Sequence, residues 1–147
     1  MSTAFVGIGT NMGNRIENIE KALNALNLLP DTKVLAVSNI YETLPWGGVE
    51  QPNFLNGVIK LQTDLSPKAL LGALLGIEAA MGRVRTIKNG PRVLDLDLLT
   101  FDSEVINTKE LTLPHPFMLQ REFVLKPLTE LDDNIIYKDA LDNLKQG

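Results

Sequence analysis

Apolar residues recur along this chain in two rhythms, one of period two and one of three to four, and the switches between them mark out a series of elements. Residues 4–8 form a short apolar run bounded by Gly9 and Asn11, which predicts a buried strand. Ile16, Ile19, Ala22, Leu23 and Leu26 then return at helical spacing, with Asn14 positioned to cap the helix they define. Pro30-Asp31 ends that helix. Residues 33–41 read as extended, with β-branched Val34, Val37 and Ile40. Residues 42–53, with two prolines and Gly47-Gly48, form a long loop, and residues 54–63 alternate as the next strand through Leu55, Val58, Ile59 and Leu61.

Ser66-Pro67 is a helix start, a cap residue followed by proline at the first helical position. The apolar face runs through Leu70, Leu71, Leu74, Ile77 and Met81 to a stop at Gly82. Residues 93–101 form the last strong strand, and Asp102-Ser103 turns it into a short partner at Val105-Ile106. The order strand, helix, strand, strand, helix, strand predicts an α+β fold. It is the ferredoxin-like βαββαβ sandwich, an antiparallel sheet with helices packed on it and extra short elements. Without repeat or linker, residues 1–147 are expected to form one domain.

Composition narrows the chemistry. A chain of 147 residues, 44% hydrophobic and 22% charged, has the balance of a globular protein with one good core. No stretch approaches the roughly 18 apolar residues of a membrane helix, and the N-terminus lacks the pattern of a signal peptide, so a cytoplasmic location is expected. The absence of cysteine removes thiolate chemistry, and His115 is the single histidine, so any metal should be hard and oxygen-ligated. A net charge of −4 argues against nucleic acid as the main partner. Yet three of the five arginines, Arg83, Arg85 and Arg92, fall with Lys88 inside ten residues.

That basic cluster runs into Asp95 and Asp97. On a strand, residues two apart share a face, so the two carboxylates stand side by side among the apolar Val93, Leu94, Leu96, Leu98 and Leu99. Like charges held that close need a proton or a cation between them. Magnesium suits, being held by one or two carboxylates together with substrate phosphates. Guanidinium groups bind phosphate oxygens in bidentate fashion. Cations, paired acids and rigid positioning are the parts phosphoryl transfer needs, and no dedicated general base is evident.

Residues 90–99, GPRVLDLDLL, together with FVGIGTNMGN, SNIYET, QPNFLN, GRVR, LPHP and REFVLKPL, resemble the 6-hydroxymethyl-7,8-dihydropterin pyrophosphokinases of folate biosynthesis over nearly the whole chain. The resemblance implies transfer of pyrophosphate from ATP, the co-substrate, to the pterin hydroxymethyl group, releasing AMP, with two magnesium ions. It makes Asp95 and Asp97 the metal ligands and, with Arg83 and Arg92, the catalytic set. Glu78, Arg83, Arg85, Lys88, Arg92, Leu98, His115 and Arg121 match ATP-binding positions. Thr43, Leu44, Trp46, Phe54, Asn56 and Phe123 match the pterin site, with Phe54 and Phe123 as the two faces of an aromatic sandwich. The chain differs from many relatives at Lys88-Asn89, Leu75, Phe54 and Pro116. A monomer acting on small molecules, with neither nucleic acid nor membrane as partner, is the expectation.

Two rival readings remain open to structural test. Gly7, Gly9 and Gly13 form a glycine-rich turn that invites dinucleotide binding, although the spacing departs from the usual fingerprint; close strand–helix packing would explain the same glycines. A non-catalytic ferredoxin-like module could bind RNA through the basic cluster, but it would have no use for Asp95 and Asp97.

Overall fold

The computed structural model describes residues 1–45, 50–82 and 91–146. Its elements run β1 (Ser2–Thr10), α1 (Arg15–Asn27), β2 (Thr32–Val37), β3 (Tyr41–Thr43), β4 (Phe54–Thr63), α2 (Pro67–Ala80), β5 (Asp95–Phe101), β6 (Ile106–Asn107), β7 (Thr112–Leu113), α3 (Glu122–Leu131) and α4 (Ile135–Gln146). The main sheet has the order β2-β4-β1-β5, every pair antiparallel, with β3 continuing the edge beside β4. The expected ferredoxin-like βαββαβ arrangement is therefore present, with the first strand at its centre.

Local chemistry sets the helix starts. The Asn14 side chain accepts from the Glu17 N–H at 3.1 Å, and the Ser66 hydroxyl accepts from the Ala69 N–H at 3.2 Å with Pro67 in the first turn. Alternation then sorts the strands into two faces. Ala4, Val6 and Ile8 of β1, Ile59 and Leu61 of β4 and Leu96 and Leu98 of β5 bury against Ile19, Ala22 and Leu26 of α1 and Leu70 and Leu74 of α2. The opposite face packs Phe5, Val58 and Leu99 against Met118, Val124 and Leu128. Helix α3 therefore covers the second face, with α4 packed on α3.

Four details depart from the sequence expectation. The extended stretch at 33–41 is divided: β2 carries a bulge between Val34 and Ala36, and at Ser38 the hydroxyl accepts from the Val58 N–H at 2.8 Å in place of a ladder carbonyl. Val105-Ile106 does not partner β5, because Ile106 and Asn107 pair with Leu113 and Thr112 in a separate ribbon. The apolar set around the aspartates is not one face. Leu94, Leu96 and Leu98 turn to the α1/α2 side, while Leu99, at the register shift opposite Phe5 and Val6, turns to the α3 side. Finally, α3 and α4 add two helices over residues 122–146, beyond the expected order of elements, with Pro127 inside α3.

Candidate active site

The α3 face of the sheet is polar where β1, β4 and β5 approach the start of α3, and a cleft open to solvent lies there. Strand β1 contributes Gly7 and Gly9, β4 contributes Phe54 and Asn56, and β5 contributes Asp95 and Asp97. Thr43 and Leu44 close one side, Arg92 a second, and Arg121 and Phe123 the third. The antiparallel register explains the convergence. Gly9 lies between Asn56 on β4 and Asp95 on β5, and Gly7 between Val58 and Asp97. A methyl group on Gly9 would stand 2.7 Å from the Asn56 side-chain oxygen, so glycine here is what admits that amide to the cleft. Close strand–helix packing is thus not the reason for these glycines. Both sit inside a strand of an antiparallel sheet and face away from α1, which also removes the dinucleotide reading.

Electrostatics divide the cleft into an ionic half and an aromatic half. Burial first and the Asp95 charge beside it second raise the Asp97 carboxyl, with Glu78 adding and Arg121 and Arg92 opposing, to a net value of about 7. The Arg92 guanidinium lies 3.4 Å from Asp95, both side chains about one-quarter exposed. Two carboxylates on one face, one of them reluctant to ionise alone, with oxygen the only ligand type among the described lining residues, fit a hard divalent cation. Across the cleft the Asn56 amide donates to the Thr43 hydroxyl at 2.5 Å. The Arg121 guanidinium lies 5.7 Å from the Phe123 ring and 5.5 Å from that of Phe117, so one cation borders both halves.

Among the positions singled out from the sequence, Arg92, Asp95, Asp97 and Arg121 share this cleft with Thr43, Leu44, Phe54, Asn56 and Phe123. Trp46, Arg83, Arg85 and Lys88 lie outside the described residues. Three positions are elsewhere. Glu78 is 2% exposed between α2 and β5, where it accepts from the Leu96 N–H at 2.7 Å. Leu98 points into the core on the other face of the sheet. His115 lies beyond the cleft lining: its N–H donates to the Leu99 carbonyl at 2.8 Å, and its Nδ1 accepts from the Phe117 N–H at 3.2 Å. Burial and then Arg121 lower the His115 pKa, while Asp95 raises it, so its imidazole tends toward the neutral form. Sequence reasoning did not single out Gly7 and Gly9 as cleft residues; their alternation with Val6 and Ile8 in β1 was the available signal.

Paired acids, flanking guanidinium groups and an adjoining aromatic wall thus meet in one cleft. Residues 5–133 match the family 7,8-dihydro-6-hydroxymethylpterin-pyrophosphokinase (HPPK), and the chain belongs to that family. It is 43% identical over 136 residues to the 2-amino-4-hydroxy-6-hydroxymethyldihydropteridine pyrophosphokinase of Pseudomonas aeruginosa, covering 92% of this chain and 84% of that protein. The protein of the same name from Aquifex aeolicus is 41% identical over 137 residues, 93% of this chain and 84% of its own. The folic acid synthesis protein fol1 of Schizosaccharomyces pombe is 41% identical over 148 residues, 96% of this chain, but the chain spans only 20% of that protein's length. A solved Plasmodium falciparum HPPK-DHPS structure superposes with a TM-score of 0.74 at 16% identity, over 98% of this chain and 46% of that one, a likeness of fold.

Proposed function

We propose that the chain is an ATP-dependent pyrophosphokinase that transfers the terminal two phosphates of ATP to the hydroxymethyl oxygen of 6-hydroxymethyl-7,8-dihydropterin, releasing AMP, in folate biosynthesis. The observation that carries the reading is the meeting, in one cleft, of Asp95, Asp97, Arg92 and Arg121 with Phe54, Asn56 and Phe123. The family and its relatives of similar length support it.

Each group has a part that follows from its chemistry. Phe54 and Phe123 offer aromatic faces to the flat pterin, and the Asn56 amide can donate to and accept from its edge. The acceptor oxygen attacks the β-phosphorus, the bond from that phosphorus to the oxygen bridging to the α-phosphate breaks, and the bonding pair leaves with AMP. The hydroxyl proton passes to solvent. Arg92 and Arg121 remain charged throughout and offset the negative charge that gathers on the transferring oxygens. Asp95 and Asp97 would hold magnesium, two ions by the family resemblance, which supplies neutralisation of the polyphosphate. Arg83, Arg85 and Lys88 are proposed as further phosphate contacts and Trp46 as a pterin contact; Glu78, Leu98 and His115 would serve ATP only from the periphery. A single domain acting as a cytoplasmic monomer completes the reading.

The test is AMP formation from ATP, magnesium and the pterin by the purified protein and by two variants. Asp97→Ala should lower turnover by about a thousandfold or more while the fold persists, and Arg92→Ala should lower kcat more than it raises the pterin KM. Normal turnover in Asp97→Ala would overturn the mechanism.

A further inference from the structure

Two buried asparagines stand where β1 gives way to α1: Asn11, in the connecting turn, at 2% exposure, and Asn18, in α1, at 9%. A buried amide must find partners for both its donor and its acceptor end. Asn11 finds them in opposite directions. Its Nδ2 donates to the Gln51 Oε1 at 2.9 Å and to the Pro52 carbonyl at 2.8 Å. Its Oδ1 accepts from the Arg92 N–H at 2.8 Å, and its own backbone N–H donates to the Arg92 carbonyl at 3.0 Å. The Arg92 donor and the Pro52 acceptor together fix which way the amide faces. Asn18 reaches only one of these two segments: its Nδ2 serves Thr10, Met12 and, at 3.3 Å, the Val93 carbonyl.

The two segments that Asn11 holds are the entries to the two halves of the cleft. Gln51 and Pro52 lead into β4, which opens with Phe54 and carries Asn56; Arg92 leads into β5, which opens with Asp95. Two residues earlier on β1, Gly9 pairs with Asn56 on one side and Asp95 on the other. Asn11 thus closes the same frame one step beyond the sheet, with one backbone bond left toward Arg92 and its side chain alone reaching Gln51 and Pro52.

We propose that Asn11 is a positioning residue that sets the spacing between the aromatic and the ionic halves of the active site by clasping the segments entering β4 and β5. The inference rests on the pyrophosphokinase reading. Asparagine suits the task because its two ends differ: Asn11→Asp keeps the acceptor toward Arg92 and loses the donor toward Gln51 and Pro52, whereas Asn11→Ala loses both.

Steady-state kinetics of AMP formation, with melting curves, on the wild type, Asn11→Asp, Asn11→Ala and Asn18→Ala test the clasp. Asn11→Asp should raise the pterin KM about 10-fold while the ATP KM and kcat stay within about 2-fold, since two hydrogen bonds on the β4 side are lost. Asn11→Ala should add about a 10-fold loss of kcat as the Arg92 N–H loses its acceptor. Asn18→Ala should lower the melting temperature without that split between the two KM values. A pterin KM in Asn11→Asp within about 2-fold of the wild type, or the same split in Asn18→Ala, overturns the clasp. Calorimetric titration of the pterin onto the wild type and Asn11→Asp with a non-hydrolysable ATP analogue and magnesium reads the same ratio without turnover. A wild type that forms no AMP therefore sinks the activity while the clasp is still decided by that ratio.

Discussion

Asp97 carries the tension between stability and function at the scale of one residue. Its carboxyl is raised from 3.8 to about 7, first by burial and then by Asp95. The unfolded chain gives up this proton near pH 4 and the folded chain keeps it to about pH 7, so between those values the native state binds more protons. Stability from this group is therefore full at low pH and falls as pH rises through that window. Without metal, Asp97→Asn should flatten this slope and raise stability at pH 8 by about 2 kcal/mol, measured by urea unfolding at pH 5 and pH 8, while AMP formation is lost. Equal stability of the two proteins at pH 8 would contradict the burial argument. Magnesium should stabilise the wild type more at pH 8 than at pH 6, because the pair must be ionised to hold it.

At the scale of elements, α3 decides whether the aromatic half of the site exists. It brings Phe123 and Arg121 to the cleft and is held over the sheet by Val124 and Leu128. Glu130 pins it to the β3 side, accepting from the Asn39 N–H at 2.8 Å and from the Tyr41 hydroxyl, and the Lys126 ammonium lies 4.7 Å from the Tyr41 ring. Leu128→Ala should lower stability by about 2–4 kcal/mol and raise the pterin KM more than the ATP KM, checked by thermal melts and initial rates. An unchanged pterin KM would mean that α3 does not position Phe123. This element is also one the sequence expectation leaves out, although Val124, Leu128 and Leu131 recur at helical spacing. Asn14 and Ser66-Pro67 announce α1 and α2 through local capping, and β1, β4 and β5 alternate in register with their neighbours. Helix α3 lacks a side-chain cap and has Pro127 in its interior, and it forms against a sheet face that only the assembled fold supplies. The division of β2 from β3 was equally hidden, since it depends on the Ser38 hydroxyl meeting Val58, a partner twenty residues away.

Across the whole molecule, the ferredoxin-like sheet works as a two-faced plate. One face is sealed by α1 and α2 and gives the chain its larger core; the other is covered only in part, by α3 and the 3-10 turn at Met118–Gln120, and leaves the cleft where β1 narrows to glycine. The paired aspartates could be read from spacing alone, because a strand puts every second residue on one face. Their relation to Asn56 and Phe54 could not, because it passes through the register of β1 against two strands far apart in sequence. The central claim is that a two-phosphate unit moves intact to the pterin. Phosphorus NMR of the products formed from ATP, magnesium and 6-hydroxymethyl-7,8-dihydropterin tests it most directly. AMP and a pterin diphosphate ester in equal amounts are predicted, and ADP with a pterin monophosphate would contradict the account.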